Sequence, residues 1–189
     1  MANKFTYQVL RDTQTESIIK LTGVFDGSGQ EANNVRITAN SLYGALDANS
    51  VPLRTALSLS NTALSYYDLQ LTGLKYYVNM PTSNTGTGLG TVEIFWNGAG
   101  STPALQYANS ATIFHLNMQG EFGLGEQLPA IYNNSATLGN GDIGVYTQGA
   151  TANCSYTLII SLRKNNAMYQ RGQITEPLAF NYGQYGPRP

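Results

Sequence analysis

Charge, cysteine and histidine are scarce in this sequence. Charged residues make up 11% of the 189 positions, whereas about 25% is usual in soluble proteins. The single cysteine excludes an internal disulfide bond. Catalysis by a serine or cysteine nucleophile usually needs a histidine as its base, and the only histidine is His115. Uncharged polar residues and tyrosine supply the polarity instead. The length is sufficient for one domain with a full hydrophobic core.

Basic residues are absent from the middle of the chain. Every lysine and arginine lies at or before Lys75 or at or after Arg163. The acidic residues between these positions are Glu93, Glu121, Glu126 and Asp142. With a formal net charge of −1, the chain lacks the positive field that nucleic-acid binding needs, so we expect no nucleic-acid partner. The cation-free segment indicates either a solvated neutral surface or an assembly whose basic ends dock against an acidic or polar partner.

Long hydrophobic runs and a signal-peptide pattern are also missing. No apolar stretch approaches the roughly 20 residues that cross a membrane, and MANKFTYQVLRDT lacks a charged segment followed by an apolar one. We therefore expect synthesis in a cytoplasm and no membrane partner. In that compartment the glycosylation sequons at Asn133 and Asn153 would stay unused, and Cys154 is predicted to be a buried strand residue.

Alternation of apolar and polar residues is the dominant pattern and predicts half-buried β-strands. It is clearest in YTLIISLRK and recurs in SIIKLTGVF, TVEIFW and TIFHLNM. The residues predicted to face the core are Ile19, Leu21 and Phe25; Val92, Ile94 and Trp96; Phe114, Leu116 and Met118; and Tyr156, Leu158, Ile160 and Leu162. Ile159 interrupts the polar face of its strand, which indicates that a neighbouring sheet or subunit partly covers that face.

In the longest candidate strand, YYDLQLTGLKYYV, the apolar residues do not alternate strictly with polar ones. A β-bulge at Gly73, which inserts one additional residue in the strand, would restore the alternation. The residues that the bulge returns to one face are Leu69, Leu71, Leu74, Tyr76 and Val78. Further strands are predicted at FTYQVLR, around NNVRITANSL, at PALQYAN and at DIGVYTQG, with one short helical turn at about residues 55–64.

Together these strands predict an all-β protein. We expect a single antiparallel β-sandwich, jelly-roll-like, over residues 1–164, followed by an extended C-terminal arm over residues 165–189. Alternating strands and helices, the signature of an α/β fold, are absent. The alternation sets the face of each strand and leaves the order of the strands open.

The predicted arm is too apolar for ordinary disorder, because disordered segments are usually poor in aromatic residues. Its predicted partner-binding residues are Tyr169, Ile174, Leu178, Phe180, Tyr182 and Tyr185. These residues would contact another subunit or a partner protein. The alternative is that the tail folds back over its own sandwich.

No pattern of residues predicts catalysis, a cofactor or a metal site, so we expect a protein that is not an enzyme. His115 is a lone strand histidine, and no GxSxG elbow surrounds a serine. Glu121 and Glu126 form the closest carboxylate pair, but their spacing fits no particular glycosidase geometry. Asp26 and Glu31 in DGSGQE lack the alternating oxygen ligands of a calcium loop.

Aromatic residues leave a carbohydrate site open. Tyr66, Tyr67, Tyr76, Tyr77 and Trp96 would suit platforms on the surface of a sandwich. Aromatic residues are also favoured in the strands of any sheet, and a tyrosine ring suits a core from which its hydroxyl reaches water. The sequence separates these alternatives at none of the five positions.

Three segments carry a resemblance to a known group. IIKLTGVFDGSGQE, TVEIFWNG and SYTLIISLRKNN resemble small virion structural proteins of tailed bacteriophages, over most of residues 5–164. Some of these all-β proteins are similar to capsid decoration, or cement, proteins. The resemblance implies jelly-roll subunits, typically homotrimers, that sit on the capsid surface of the virion and clamp the major capsid protein. The arm is longer than the resemblance implies.

Three functions follow as hypotheses. The first is a capsid cement protein that stabilises the phage head. The second is a tail, neck or fibre component, with adhesion to host glycans through exposed tyrosines. The third, ranked last, is a small glycosidase-like enzyme that uses Glu121 or Glu126.

Overall fold

A computed structural model describes residues 3–31, 34–46, 67–80, 90–98, 102–123, 131–132, 141–164 and 169. These residues form ten β-strands, one α-helix and a single 3-10 turn at Ala39–Ser41. The strands are β1 (Lys4–Asp12), β2 (Glu16–Val24), β3 (Asn34–Ile37), β4 (Leu69–Asn79), β5 (Thr91–Trp96), β6 (Ala111–Leu116), β7 (Gln119–Phe122), β8 (Ile131–Tyr132), β9 (Ile143–Gln148) and β10 (Ser155–Lys164). The helix, α1, is Pro103–Ala108.

The strands form two antiparallel sheets that pack face to face. Sheet A has the order β1-β2-β10-β4-β7, with β8 pairing beside β4, and sheet B has the order β3-β9-β5-β6. The buried apolar side chains of both sheets form one cluster between them. The predicted all-β sandwich is therefore confirmed.

The order of the strands is that of a jelly roll. Without β1 and β8, sheet A contains the first, eighth, third and sixth of the remaining strands, and sheet B contains the second, seventh, fourth and fifth. Successive strands thus cross between the sheets, except β5 and β6, which are neighbours in sheet B. This order is the jelly-roll arrangement of two Greek keys. The sequence favoured this variant, and the strand order confirms it.

The predicted core faces agree with the structure in most strands. Ile19 and Leu21 of β2, and Leu158 and Ile160 of β10, are buried on the inner face of sheet A. The bulge in β4 is also present: Ser161 pairs with Gly73 and Leu162 with Leu71, so Thr72 is the extra residue.

Gly23 in β2 explains how a large ring fits between the strands. A Cβ atom at this position would collide with the ring of Tyr156, its cross-strand partner on β10. Glycine therefore makes room for the buried tyrosine, a use of glycine that depends on its missing side chain.

Two predictions are wrong for local reasons. PALQYAN forms α1 rather than a strand, because Thr102 caps the helix by accepting a hydrogen bond from the Leu105 amide at 3.3 Å, and a proline stands in its first turn. Met118 lies in the turn between β6 and β7 and is 68% exposed rather than buried. The helical turn predicted at about residues 55–64 lies outside the described residues.

Candidate interaction surfaces

The C-terminal residue of β10, Lys164, carries a buried charge. Lys164 is fully buried, and its ammonium group contacts the carboxylate of Asp12 at 2.5 Å. The same group donates hydrogen bonds to the carbonyls of Thr13 at 2.6 Å and Tyr43 at 2.7 Å. Burial lowers the pKa of Lys164, and the hydrogen bond and charge of Asp12 oppose that shift. A buried ammonium with this many partners is a structural element of the fold.

Tyr169 packs beside Lys164, five residues beyond β10. Its ring is 5.2 Å from the Lys164 ammonium and 5.5 Å from the ring of Tyr67. Its hydroxyl donates to the carbonyl of Ala39 at 2.9 Å, and its backbone bridges to Ala45. Burial raises the pKa of Tyr169, as do the nearby charges. Lys164, Asp12, Tyr169 and Tyr67 are called the tail anchor below.

The tail anchor changes the interpretation of the predicted arm. Tyr169 was predicted to bind a partner, but it is 0% exposed and belongs to the core of its own sandwich. Its hydroxyl and ring are satisfied within the chain, so it has no free surface to offer. The other predicted arm residues, Ile174, Leu178, Phe180, Tyr182 and Tyr185, lie outside the described residues.

A second buried network joins the edges of the two sheets. The Glu31 carboxylate pairs with the Arg36 guanidinium and accepts a hydrogen bond from the Tyr156 hydroxyl at 2.7 Å. Arg36 in turn lies 4.2 Å from the ring centroid of Phe5 on β1. Burial raises the pKa of Glu31, and burial together with the Glu31 charge raises the pKa of Tyr156. The DGSGQE segment therefore supplies a structural carboxylate.

Of the candidate catalytic residues, the structure describes His115 and Glu121, which lie on strands of different sheets. His115 is exposed on β6 and pairs in register with Glu93 of β5, whose carboxylate accepts hydrogen bonds from Tyr107 and Thr112. Glu121 is exposed on β7, opposite Lys75. Glu126 lies outside the described residues.

The candidate sugar platforms divide into core and surface. Trp96 and Tyr67 are buried, and Tyr76 is partly buried against the core. Tyr77 is 46% exposed, and Tyr66 lies outside the described residues. Among the described candidates, the surface position therefore belongs to Tyr77.

Tyr77 lies in an open groove at the end of sheet A where β4 ends and β10 begins. The groove has a volume of about 480 Å³. It is lined by Tyr77, Val78, Asn79, Met80, Asn117, Met118, Gln119, Ser155, Tyr156 and Thr157, and none of these side chains is charged at neutral pH. This surface is called the end groove below. The sequence named Tyr77 among the candidate platforms, but no sequence signal indicated a groove.

Strand β1 is an edge strand of sheet A among the described residues. It pairs with β2, and no described strand lies on its other side. Its side chains at Tyr7, Val9 and Leu10 are exposed despite their apolar character. An apolar edge strand is a surface on which another chain can add a strand. The register shift between Val9 and Arg11 bends the edge and restricts such pairing.

Within the described residues, no group of three or more histidine, cysteine, aspartate or glutamate side chains could hold a metal ion. No helix in the same residues has the length and apolar character needed to span a bilayer.

Comparison with known proteins gives no family. No protein-family model matches the chain, and no curated protein matches it. Three chains of solved structures match. One comes from a single-particle structure of maize chlorotic mottle virus; it has 11% sequence identity and a TM-score of 0.23, with 87% of this chain and 94% of that chain covered. At this TM-score the similarity supports no conclusion about fold or function.

Proposed function

We propose that the protein is a virion structural protein, a capsid decoration protein that binds the assembled major capsid protein of a tailed phage as a homotrimer. The observation that carries the proposal is the jelly-roll strand order, an arrangement used by viral capsid domains. The three segments that resemble phage virion proteins begin in β2, β5 and β10 of this jelly roll. The proposal assigns no catalytic role to any residue.

The tail anchor supports a role for the remaining arm. Twenty residues follow Tyr169 in the sequence, and they depart from a point held by buried contacts. A chain of this length spans at most about 70 Å when fully extended. A rigidly held starting point lets such a segment reach a neighbouring subunit, with the sandwich as its base.

A decoration protein acts by binding the assembled lattice and not its separated subunits. Such binding stabilises the shell by mass action, and the stabilisation rises with the logarithm of the ratio of free decoration protein to its dissociation constant. A trimer places three equal surfaces around one axis, so that weak contacts with several capsid subunits add through multivalency. The low charge of the chain favours contacts made by apolar surface and neutral hydrogen bonds.

The first test is the solution mass of the full chain and of a chain truncated after Gln170. This truncation keeps Tyr169 in the tail anchor. We expect a trimer in both cases, and weaker sedimentation of the truncated chain with isolated heads. A full chain that stays monomeric and never sediments with heads would contradict the proposal.

The second test separates the head from the tail of the particle. Purified particles are broken into heads and tails, and each fraction is analysed by mass spectrometry. The proposal expects the protein in the head fraction. Its recovery with tails would favour the hypothesis of a tail, neck or fibre component.

A further inference from the structure

We propose that the end groove binds a neutral oligosaccharide, with Tyr77 as the stacking platform. The groove volume of about 480 Å³ falls within the range of about 300–1,000 Å³ that is usual for small-ligand sites. The groove is open along one side, so that a chain of sugars could enter from the surface. The inference does not depend on where in a virion the protein is located.

The pairing of strands in sheet A places polar side chains on both sides of Tyr77. Thr157 on β10, Tyr77 on β4 and Gln119 on β7 are direct cross-strand partners, so a hydroxyl and an amide flank the tyrosine in one row. Ser155 and Asn79 form the next pair along the same face. Directly opposed side chains in a sheet lie about 5 Å apart at Cβ. An aromatic surface is thus surrounded by polar groups at the spacing of neighbouring strands.

This combination suits a sugar, whose ring has an apolar C–H face and a rim of hydroxyl groups. The exposed ring of Tyr77 offers an apolar surface to the C–H face. The amides of Asn79 and Gln119 and the hydroxyls of Ser155 and Thr157 both donate and accept hydrogen bonds, as sugar hydroxyls also do.

The charge of the groove excludes anionic ligands as its preferred class. None of its lining side chains carries a charge at neutral pH. The ammonium group of Lys75 lies 6.0 Å from the Tyr77 ring centroid and is the cation that faces the platform from its own strand. Lys75 lies opposite the acidic Glu121 of β7 in the strand register.

An extended peptide fits the groove less well. Strand addition needs an unpaired sheet edge, and β4 is already paired with β10 on one side and with β7 on the other. The backbone around Tyr77 therefore offers no ladder of free donors and acceptors. A peptide strand would instead need an edge strand of sheet A, β1 or β7.

The experiment measures binding of neutral hexasaccharides to the full chain by surface plasmon resonance. The panel contains hexasaccharides of glucose, mannose, galactose and N-acetylglucosamine, together with a heparin hexasaccharide as the anionic comparison. We expect saturable binding of at least one neutral member and weaker binding of heparin. Substitution Tyr77→Ala should weaken the binding at least about tenfold, which corresponds to about 1.4 kcal/mol.

Two further variants make the test specific. Tyr43→Ala is the matched control, because Tyr43 is 50% exposed and lies beside Lys164 at the opposite end of β10; we expect unchanged binding. Tyr77→Phe keeps the ring and should retain most of the affinity. Circular dichroism and thermal unfolding check that every variant is folded.

Several results would overturn the proposal. They are no saturable binding of any neutral member at millimolar concentration, equal or tighter binding of heparin, and equal losses for Tyr43→Ala and Tyr77→Ala. A change of solution mass in Tyr77→Ala without sugar binding would identify a second copy of the chain as the occupant. Capsid binding is measured on the same variants, and Tyr77→Ala should leave it intact, so failure of this proposal and failure of the decoration function can be told apart.

Discussion

Strand β10 runs between two ends of sheet A that differ in whether their polar and aromatic side chains are buried or exposed. At one end, Lys164 is buried with Asp12, and Tyr169 closes the core over them. At the other end, about 30 Å away for a strand of this length, Tyr77 and Met118 remain exposed. The first end satisfies its groups within the chain, whereas the second leaves an aromatic ring and neutral polar groups facing solvent.

The comparison shows where this molecule has surface available for recognition. A buried ammonium and a buried tyrosine hydroxyl need partners in fixed positions, so the closed end tolerates little change. The open end has no such requirement, because water can satisfy its side chains. Stability should therefore depend on the closed end, and ligand or partner binding on the open end.

The largest effect is expected from Tyr169→Ala. The ring is fully buried in the core cluster, and removal of a large buried aromatic residue costs about 4 kcal/mol. Urea unfolding at neutral pH measures the loss. Tyr169→Phe is the control; it removes the hydrogen bond to the Ala39 carbonyl, which is worth about 1 kcal/mol. A loss below about 1 kcal/mol for Tyr169→Ala would show that the closed end does not depend on the ring.

The next largest effect is expected from Asp12→Asn, which leaves the buried Lys164 ammonium without its counter-charge. Removal of one partner of a buried ion pair costs about 3 kcal/mol or more. The matched control is Arg11→Ala, which breaks the neighbouring ion pair with Glu16 at 2.8 Å, where both side chains are exposed. That variant should lose less than about 1 kcal/mol. Equal losses in the two variants would refute the distinction between buried and exposed pairs here.

Alkaline pH should destabilise the fold through its buried tyrosines. Burial raises the pKa of Tyr169 and Tyr156, and burial raises the pKa of Tyr107 to about 12. In the unfolded chain tyrosine loses its proton near about pH 10. The unfolded state therefore binds fewer protons above that pH, and stability that is fully present below about pH 10 is lost as the pH rises.

The size and direction of this pH effect can be measured by urea unfolding between about pH 9 and pH 11. Tyr169 and Tyr156 should each lower the free energy of unfolding by up to about 1.4 kcal/mol per pH unit above about pH 10. Lys164 acts in the opposite direction, because burial lowers its pKa in the folded state. Tyr169→Phe should reduce the slope, and an unchanged slope would show that Tyr169 does not contribute.

The smallest effect on stability is expected from Tyr77→Ala at the open end. An exposed side chain outside the core usually changes the free energy of unfolding by less than about 0.5 kcal/mol. Thermal unfolding of Tyr77→Ala beside Tyr169→Ala compares the two ends directly. Similar losses in both variants would mean that the end groove is part of the structural core.

Much of the fold was predictable because alternation records which side of a strand faces the core. The inner faces of β2 and β10 and the bulge in β4 followed from the spacing of a few apolar residues such as Ile19, Leu158 and Leu74. The helix α1 was not predicted, because the apolar residues of PALQYAN fit a strand as well as a helix, and the helix begins at a capping threonine followed by proline. Met118 was misplaced since a turn interrupts the alternation.

The interaction surfaces were predictable only in part. Tyr77 was among the candidate platforms, but the row that it forms with Thr157 and Gln119 depends on the pairing of three strands. Tyr169 was predicted to lie in the arm. Nothing near it in the sequence indicates that its ring packs against Tyr67 or that its hydroxyl bonds the Ala39 carbonyl.

Local sequence patterns were sufficient to predict the all-β class, the inward face of the main strands and a bulge in β4. These features depend on residues close together in the chain. The jelly-roll order, the burial of Lys164 against Asp12 and the row of side chains around Tyr77 became visible only in the folded structure. Those features join residues that are far apart in sequence, as Asp12 and Lys164 are by 152 positions, and no local pattern specifies which distant partner satisfies a buried group.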